Sequence, residues 1–402
     1  MTQNGRIDGI ALWDGTADRG PATLSWRDGV LERVDAAPTA ARFAGLSAIP
    51  GLVDTHVHFD THVPEPGVPQ DRTWQLSTTE ADQTLHVVGN ALRFAALGVT
   101  TARDLASSEV QLAVARAFDE GVIDGPRLLG HGPVGMTAGH GDLFTPRAVR
   151  DRPPVADGVD ECRRLVRRWA RAGASGIKIY TSGGILSMGD QVGWRNHTRE
   201  ETDAIVDEAH ALGLPVAAHT HSAEGLDLAL AVGADSIEHG TGISERHHAQ
   251  LIERRIPVAP TLTVHDVILA GTDPRGSAAR EKARRAMARR DPAFRAAADA
   301  GVRFVLGTDA NGHLVPVGGQ WAELRRMAEV FGWNAERTLV AGTSDAADAI
   351  GLGETVGRIA PGFVADLVIM RGEPWRSVDD LRAEHVVAVV SRGRVIAGEL
   401  PG

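Results

Sequence analysis

The chain is poor in the residues that most often carry redox or covalent chemistry. One of its 402 residues is cysteine, Cys162, so no intrachain disulfide can form. Cys162 sits in Glu161-Cys162-Arg163-Arg164-Leu165-Val166, a helical pattern, and is expected to pack rather than to attack a substrate. There is no run of about 18 apolar residues of the kind a membrane-spanning helix needs. The N-terminal Met1-Thr2-Gln3-Asn4-Gly5-Arg6 lacks the charged-then-apolar pattern of a secretion signal, so a cytoplasmic protein is the expectation. Net charge is −10, with a pI near 5.9. That balance speaks against nucleic acid and against an anionic membrane surface. The one dense basic stretch, Arg275 to Arg295, is interleaved with alanine and reads as a solvated helix face. Tyrosine occurs once, at Tyr180, and lysine only twice among 42 basic residues, at Lys178 and Lys282. Arginine cannot lose its proton in a protein, so a position that needs a deprotonatable amine requires lysine.

What is present is an alternation of strands and helices. Residues 5 to 48 read as short strands with turn signals at Trp13-Asp14-Gly15 and Arg27-Asp28-Gly29. Ala48 to Val57 follows as one buried strand, then a proline-rich loop with Pro64, Pro66 and Pro69. A helix is expected from Thr79 to Leu97, stopped by Gly98. Further strands are expected at Val99–Leu105, Arg127–His131, Gly176–Tyr180, Pro215–His221, Ser236–His239, Val258–Val264 and Val302–Asp309. The helices between them run over Glu109–Phe118, Val159–Ala172, Thr198–Leu212, Leu226–Val232, Ser244–Arg254 and Ala278–Ala300. Thr198 with Glu201 forms a capping box.

Eight strands, each followed by helix, predict an α/β fold of the (β/α)8 barrel type. An open doubly wound sheet would want a glycine-rich phosphate turn after its first strand, and Phe59-Asp60-Thr61-His62-Val63-Pro64 stands there instead. No internal repeat is visible. Beyond Asp309 the chain is helical to about Ile350, then β-like at Val356–Ile359, Ala365–Met370, Val386–Val390 and Arg394–Ile396. The expected organisation is a small composite β domain from residues 1–48 and 355–402, with a barrel over 49–354. His385 falls in the small domain and is given no function.

Active sites of such barrels lie at the C-terminal ends of the strands. His56 and His58, at i and i+2 on the first strand, share a face and suit two nitrogen ligands of one metal ion. Lys178 ends the fourth strand, His219 and His221 the fifth, His239 the sixth, and Asp309 the eighth. Singly, each of these is as readily a satisfied core or loop polar group. Their convergence on one rim points to a metal-dependent site.

The motifs that carry these residues resemble those of the amidohydrolase superfamily. Pro50-Gly51-Leu52-Val53-Asp54-Thr55-His56-Val57-His58 is similar to its first-strand motif, and Gly98-Val99-Thr100-Thr101-Ala102-Arg103-Asp104 to its second. Gly176-Ile177-Lys178-Ile179, His219, Ser236-Ile237-Glu238-His239-Gly240 and Gly307-Thr308-Asp309-Ala310 resemble the fourth, fifth, sixth and eighth. Ile359-Ala360-Pro361-Gly362-Phe363-Val364-Ala365-Asp366-Leu367-Val368 resembles its returning C-terminal sheet. Gly139-His140-Gly141-Asp142 and Ala218-His219-Thr220-His221-Ser222-Ala223-Glu224-Gly225 look like the branch of imidazolonepropionase-related, prolidase-like dipeptidases and amidases.

This resemblance implies two divalent ions, usually zinc. His56 and His58 would hold one with Asp309, and His219 and His239 the other. Lys178, carboxylated by carbon dioxide, would bridge them. A carbamate supplies two anionic oxygens, which two cations keep deprotonated. Two ions about 3.5–4 Å apart can share one acidified hydroxide, with Asp309 as general base and acid.

The implied function is hydrolysis of the amide bond of a small molecule such as an N-acyl amino acid or dipeptide, with a homo-oligomer as a candidate assembly. His140 is expected to face the substrate, or else to order its loop. Tyr180, on the same strand face as Lys178, is expected either to hydrogen-bond a developing oxyanion or to pack. His221 is either an orienting group or a substrate contact, and His313 is a further candidate contact. His62, His86, His197, His210, His247, His248 and His265 are read as surface or packing residues, although His197 lies on a long loop near the site. The stretch Asn311 to Gln320 departs from the dipeptidase pattern, which puts dipeptide specificity in doubt. Arg195 is the nearest candidate for a substrate carboxylate. The competing reading is a one-metal deaminase or cyclic-amidine hydrolase using His221 and Glu224. A non-catalytic barrel is a third reading, against which stand the six ligand positions.

Overall fold

The computed structural model describes residues 3–37, 42–63, 74–146, 148–149, 153–271, 277–312, 314–316 and 318–401. The proline-rich loop from Pro64, Arg275 and His313 lie outside these residues. In chain order the strands are β1 (Gly5–Trp13), β2 (Asp18–Arg27), β3 (Val30–Ala36), β4 (Leu46–Pro50), β5 (Leu52–Val57), β6 (Val99–Leu105) and β7 (Arg127–Pro133). They continue as β8 (Gly176–Tyr180), β9 (Val216–Thr220), β10 (Ser236–His239), β11 (Val258–Ala259), β12 (Leu367–Arg371), β13 (Val386–Ser391) and β14 (Arg394–Gly398). They form a mixed sheet in the order β14-β13-β12-β4-β1-β2-β3 and a parallel sheet in the order β11-β10-β9-β8-β7-β6-β5. The fold is an α/β barrel of TIM type with a separate β layer built from both ends of the chain.

The chain divides into two compact units. The first comprises Met1–Arg103, Ala113–Leu128 and Val305–Gly402. Its mixed sheet buries Ile7, Ile10, Leu12, Leu24, Trp26, Leu31, Leu367, Ile369 and Val390. Asp28 and Gly29 join β2 to β3 with φ of 50° and 80°, the left-handed pair a two-residue hairpin turn requires.

The single strand expected over Ala48–Val57 is instead two. Pro50 pairs with Leu367, Gly51 N donates to Asp366 O, and Leu52 N donates to Gly98 O. The backbone thus changes sheets at Gly51. A Cβ there would lie 2.1 Å from Thr100 Oγ1, so the crossing needs glycine. The expected strand at Val356–Ile359 is absent. Val356 N bonds to Leu352 O, Ile359 N bonds to Asp14 O, and Gly357 turns the chain at φ 82°.

The second unit comprises Asp104–Leu112 and Leu129–Phe304. Its central strands are buried along their whole length, as parallel strands covered on both faces are. Register is continuous, with Tyr180 opposite His219 and His219 opposite Glu238. The helix Arg199–Ala211 carries the expected capping box: Glu201 N donates to Thr198 Oγ1 and Thr198 N to Glu201 Oε2.

Two expectations in this unit need correction. The strand over Val258–Val264 stops at Ala259, because Pro260 cannot donate to a ladder. A helix then starts at Leu262 after Thr261, which has φ 47°. The long helix over Ala278–Ala300 is two helices, Ser277–Met287 and Arg290–Asp299. Pro292 is tolerated in the first turn of the second helix but not within a continuous one. Where the eighth strand was expected there are isolated parallel bridges, Phe304 to Val258 and Ala310 to Val57.

Cys162 lies buried in the helix Val159–Ala172. Burial, with the carboxylates of Glu201, Asp157 and Glu161 adding to it, pushes its thiol up to about 12. Iodoacetamide is therefore expected to leave the native protein unlabelled at pH 8 and to label it stoichiometrically in denaturant. Mass spectrometry of the two samples checks this, and fast native labelling would contradict the packing role. Among the described residues no helix is long and apolar enough to cross a membrane.

Candidate active site

In the first unit, β5 delivers His56 and His58 at its C-terminal end. Their rings meet edge to face at 5.3 Å. Asp309 Oδ1 lies 3.1 Å from His58 Nε2 and 3.5 Å from His56 Nε2. Asp309 adopts φ 57°, a left-handed conformation that is uncommon outside glycine and turns its carboxylate toward the two imidazoles.

Asp54 holds this arrangement. Its Oδ1 accepts from His56 N at 3.2 Å and Thr308 N at 3.1 Å, and its Oδ2 from Thr308 Oγ1 at 2.7 Å and Gln320 Nε2 at 3.0 Å. Burial pushes the Asp54 carboxyl up to about 6, against these hydrogen bonds. The first-strand motif contains Asp54 without disclosing this task. The signal was an acidic residue directly after Leu52 and Val53 in a buried strand.

In the second unit, His219, His221 and His239 bring one ring nitrogen each to within 4.8 Å of one another. The rings of His219 and His239 are 4.7 Å apart, and His221 stacks on His239 at 4.6 Å. Strict alternation pairs His239 with Thr220 rather than with His219. A φ of 67° at His239 breaks that alternation and re-aims the ring. Thr261 Oγ1 lies 2.8 Å from His239 Nδ1, and Thr241 Oγ1 lies 3.0 Å from His221 Nδ1. Such bonds fix which nitrogen each ring presents. His265, expected as a surface or packing residue, is buried beside His221 and His239, at 5.4 and 5.5 Å between ring centres.

Lys178 is buried on β8, with Nζ 6.0 Å from the centre of the Tyr180 ring. Tyr180 meets His140 edge-on at 5.2 Å and His219 at 5.9 Å. His140 stacks on His219 at 4.1 Å. The loop beyond β7 therefore brings His140 into the cluster. Glu224 and Arg195 are exposed, and His197 is tied to Ala156 O at 2.9 Å.

The donor chemistry fits divalent metal ions. His219 Nε2 is buried and has no hydrogen-bond partner among the described residues. Burial, then the fields of His140, His221 and Lys178, holds this imidazole well below its ordinary pKa. It is therefore neutral, the form that ligates metal. A His, His and Asp set in one unit and a three-imidazole set in the other are both compositions that bind zinc or similar ions.

The amidohydrolase family matches residues 47–398, and the chain belongs to that family. An ochratoxinase from Aspergillus niger is 29% identical over 367 residues, covering 86% of this chain and 74% of the relative. The crystal structure of a Xaa-Pro dipeptidase with methionine in its active site superposes with a TM-score of 0.85 at 27% identity, covering 98% of this chain and 99% of that one. A prolidase complexed with N-methylphosphonate-L-proline gives 0.87 at 25% identity, with coverage of 98% and 99%. The protein is accordingly an enzyme, a metal-dependent hydrolase acting on carbon–nitrogen bonds.

Proposed function

We propose that the protein hydrolyses the amide bond of a small substrate, an N-acyl amino acid or a dipeptide, at a centre of two divalent zinc ions. His56, His58 and Asp309 would hold one ion and His219 and His239 the other, with carboxylated Lys178 supplying anionic oxygens to both. The observation that carries this reading is the pair of separate donor sets, each ending a buried strand and each re-aimed by a left-handed residue, Asp309 and His239. Two such ions would supply an acidified water and a polarised carbonyl.

The rest of the chemistry falls to the chain. Asp309, whose carboxylate faces His56 and His58, takes the proton of the attacking water and returns it to the leaving nitrogen. Tyr180 donates to the oxygen that gains charge. His140 and His221, whose rings lie 4.1 and 4.7 Å from that of His219, contact the substrate. Carboxylation of Lys178 has an electrostatic reason: as an ammonium it disfavours positive charge at His219, whereas as a carbamate it favours a cation there. Phe144, half exposed and edge-on to His140 at 4.9 Å, presents an apolar surface to an acyl or side-chain group. The names of the relatives, ochratoxinase and Xaa-Pro dipeptidase, support an amide substrate.

The one-metal reading, a deaminase or cyclic-amidine hydrolase, draws support from the three-imidazole cluster of His219, His221 and His239. It would need Glu224 as proton shuttle, and that side chain is exposed on the first turn of its helix. Metal analysis of the purified active protein separates the two. Two metals per chain, with hydrolysis of N-acyl amino acids or Xaa-Pro dipeptides, is expected. One metal per chain at full activity would overturn the two-metal centre.

A further inference from the structure

The second of the two lysines is tied to the site through a loop. Lys282, on the helix Ser277–Met287, has 14% of its side chain exposed and lies 2.8 Å from Asp190 Oδ1. Its Nζ also donates to Gly184 O and Ser187 O, each at 2.8 Å. An ammonium has three protons, so these three short bonds to one loop use all of them, and the Asp190 carbonyl, at 3.5 Å, is a longer fourth contact. Asp190 carries the connection onward: its Oδ2 accepts from Gly184 N at 2.9 Å and from Ser187 Oγ at 2.7 Å. Burial pushes the Asp190 carboxyl up, but the bonds from Lys282, Ser187 and Gly184 together hold it below its ordinary value and so ionised.

Ser187 Oγ lies 3.0 Å from His140 Nδ1. A hydroxyl has one proton to give. Its bond to the carboxylate, at 2.7 Å, is shorter than its alternative to Gly184 O at 3.4 Å, as a bond to a charged acceptor should be. With that proton committed to Asp190, Ser187 can only accept from His140, and Nδ1 must carry the ring proton. The loop also braces the ring sterically. A Cβ on Gly184 would fall 1.9 Å from His140 Cε1 and 2.0 Å from Nδ1, so the backbone lies directly against the imidazole.

We propose that Lys282, acting through Asp190 and Ser187, is a positioning residue that fixes the Nδ1–H tautomer and the ring plane of His140, leaving Nε2 as the nitrogen presented to the site. Lysine is required because its tetrahedral ammonium meets three convergent acceptors, which the planar fork of arginine does not match. The consequence for turnover rests on the reading of His140 given above. The tautomer does not.

Two measurements test this, and they fail independently. The first is nitrogen-15 NMR of the imidazoles, with the His140 signal assigned by its loss in His140→Gln. The wild type is expected to show a protonated Nδ1 and an unprotonated Nε2. Ser187→Ala, which leaves the Lys282–Asp190 pair in place, and Lys282→Met are both expected to shift the signal to a mixture of tautomers. A proton on Nε2 alone in the wild type, or a signal unmoved in both variants, overturns the proposal.

The second is a double-mutant cycle on the metal-replete enzyme, read on whichever Xaa-Pro dipeptide or N-acetyl amino acid it turns over. Lys282→Met is expected to lower kcat by about 10- to 100-fold, the scale seen when a group behind an active residue is removed. It should have no further effect in the His140→Gln background. An equal fall in that background means that Lys282 acts elsewhere, which also overturns the proposal. An unchanged kcat in His140→Gln itself would instead overturn the role assigned to His140 and leave the tautomer result standing.

Discussion

Replacing Asp309 with asparagine is expected to lower kcat by about 10²- to 10⁴-fold, the range over which a general base and acid contributes. The substitution keeps shape and volume. Asp309 already holds a left-handed backbone at φ 57°, a conformation that asparagine tolerates as well as aspartate does. The amide oxygen can still occupy the place of Oδ1, 3.1 Å from His58 Nε2, as a neutral oxygen donor to the same ion. What is lost is the ability to take up a proton and release it again. KM is therefore expected to change little, and His56 and His58 to retain their ion at saturating metal. Steady-state kinetics beside metal analysis of the same preparation checks both points. A variant that keeps its metal and loses less than about threefold in kcat would show that another group moves the proton, and the assignment of Asp309 would fail.

The residues of this site differ in how visible they were before folding. His56, His58, Lys178, His219 and Asp309 stood out because a strand end is a place the sequence marks, by an apolar run that stops. His239 was visible as a strand-end histidine, but nothing in Ser236-Ile237-Glu238-His239 announced that φ 67° would turn its ring to His219. The partners that set ring orientation were invisible for a plainer reason. Thr261, Thr241, Ser187 and Asp190 act across 22, 20, 47 and 50 residues, and ordinary serine, threonine and aspartate in loops carry no periodic signal.

The fold shows the same contrast. Alternating strands and helices disclosed the parallel sheet. The change of sheet at Gly51 was hidden because β4 and β5 are both buried and contiguous, so no polar residue marks the join. Two boundaries were legible and misread: Pro260 and Pro292 stand inside elements that proline cannot continue.

Lys178→Ala is expected to have the other large effect, a fall in kcat of at least about 10³-fold, comparable with removal of a preorganised electrostatic contact at the reacting centre. Lys178 is buried on β8 beside Tyr180 and its field acts on His219. An unmodified ammonium there meets a desolvation cost and opposes a cation at the neighbouring imidazoles, so the wild-type amine and a metal ion are poor companions. The proposed carboxylation would reverse the sign of that charge, and alanine removes it.

Metal content in Lys178→Ala is accordingly expected to drop from the proposed two ions per chain toward one or none. Because the substitution empties a space the length of a lysine side chain, a short carboxylate such as acetate or propionate should enter it and restore part of both metal binding and rate. Lys178→Met fills the same space and should not be rescued. The contrast between these two variants separates a missing anion from a damaged strand, since packing loss would favour methionine and ignore acetate. Full activity in Lys178→Ala with a single metal would instead favour the one-metal reading, because a centre with one cation has no use for a bridging anion.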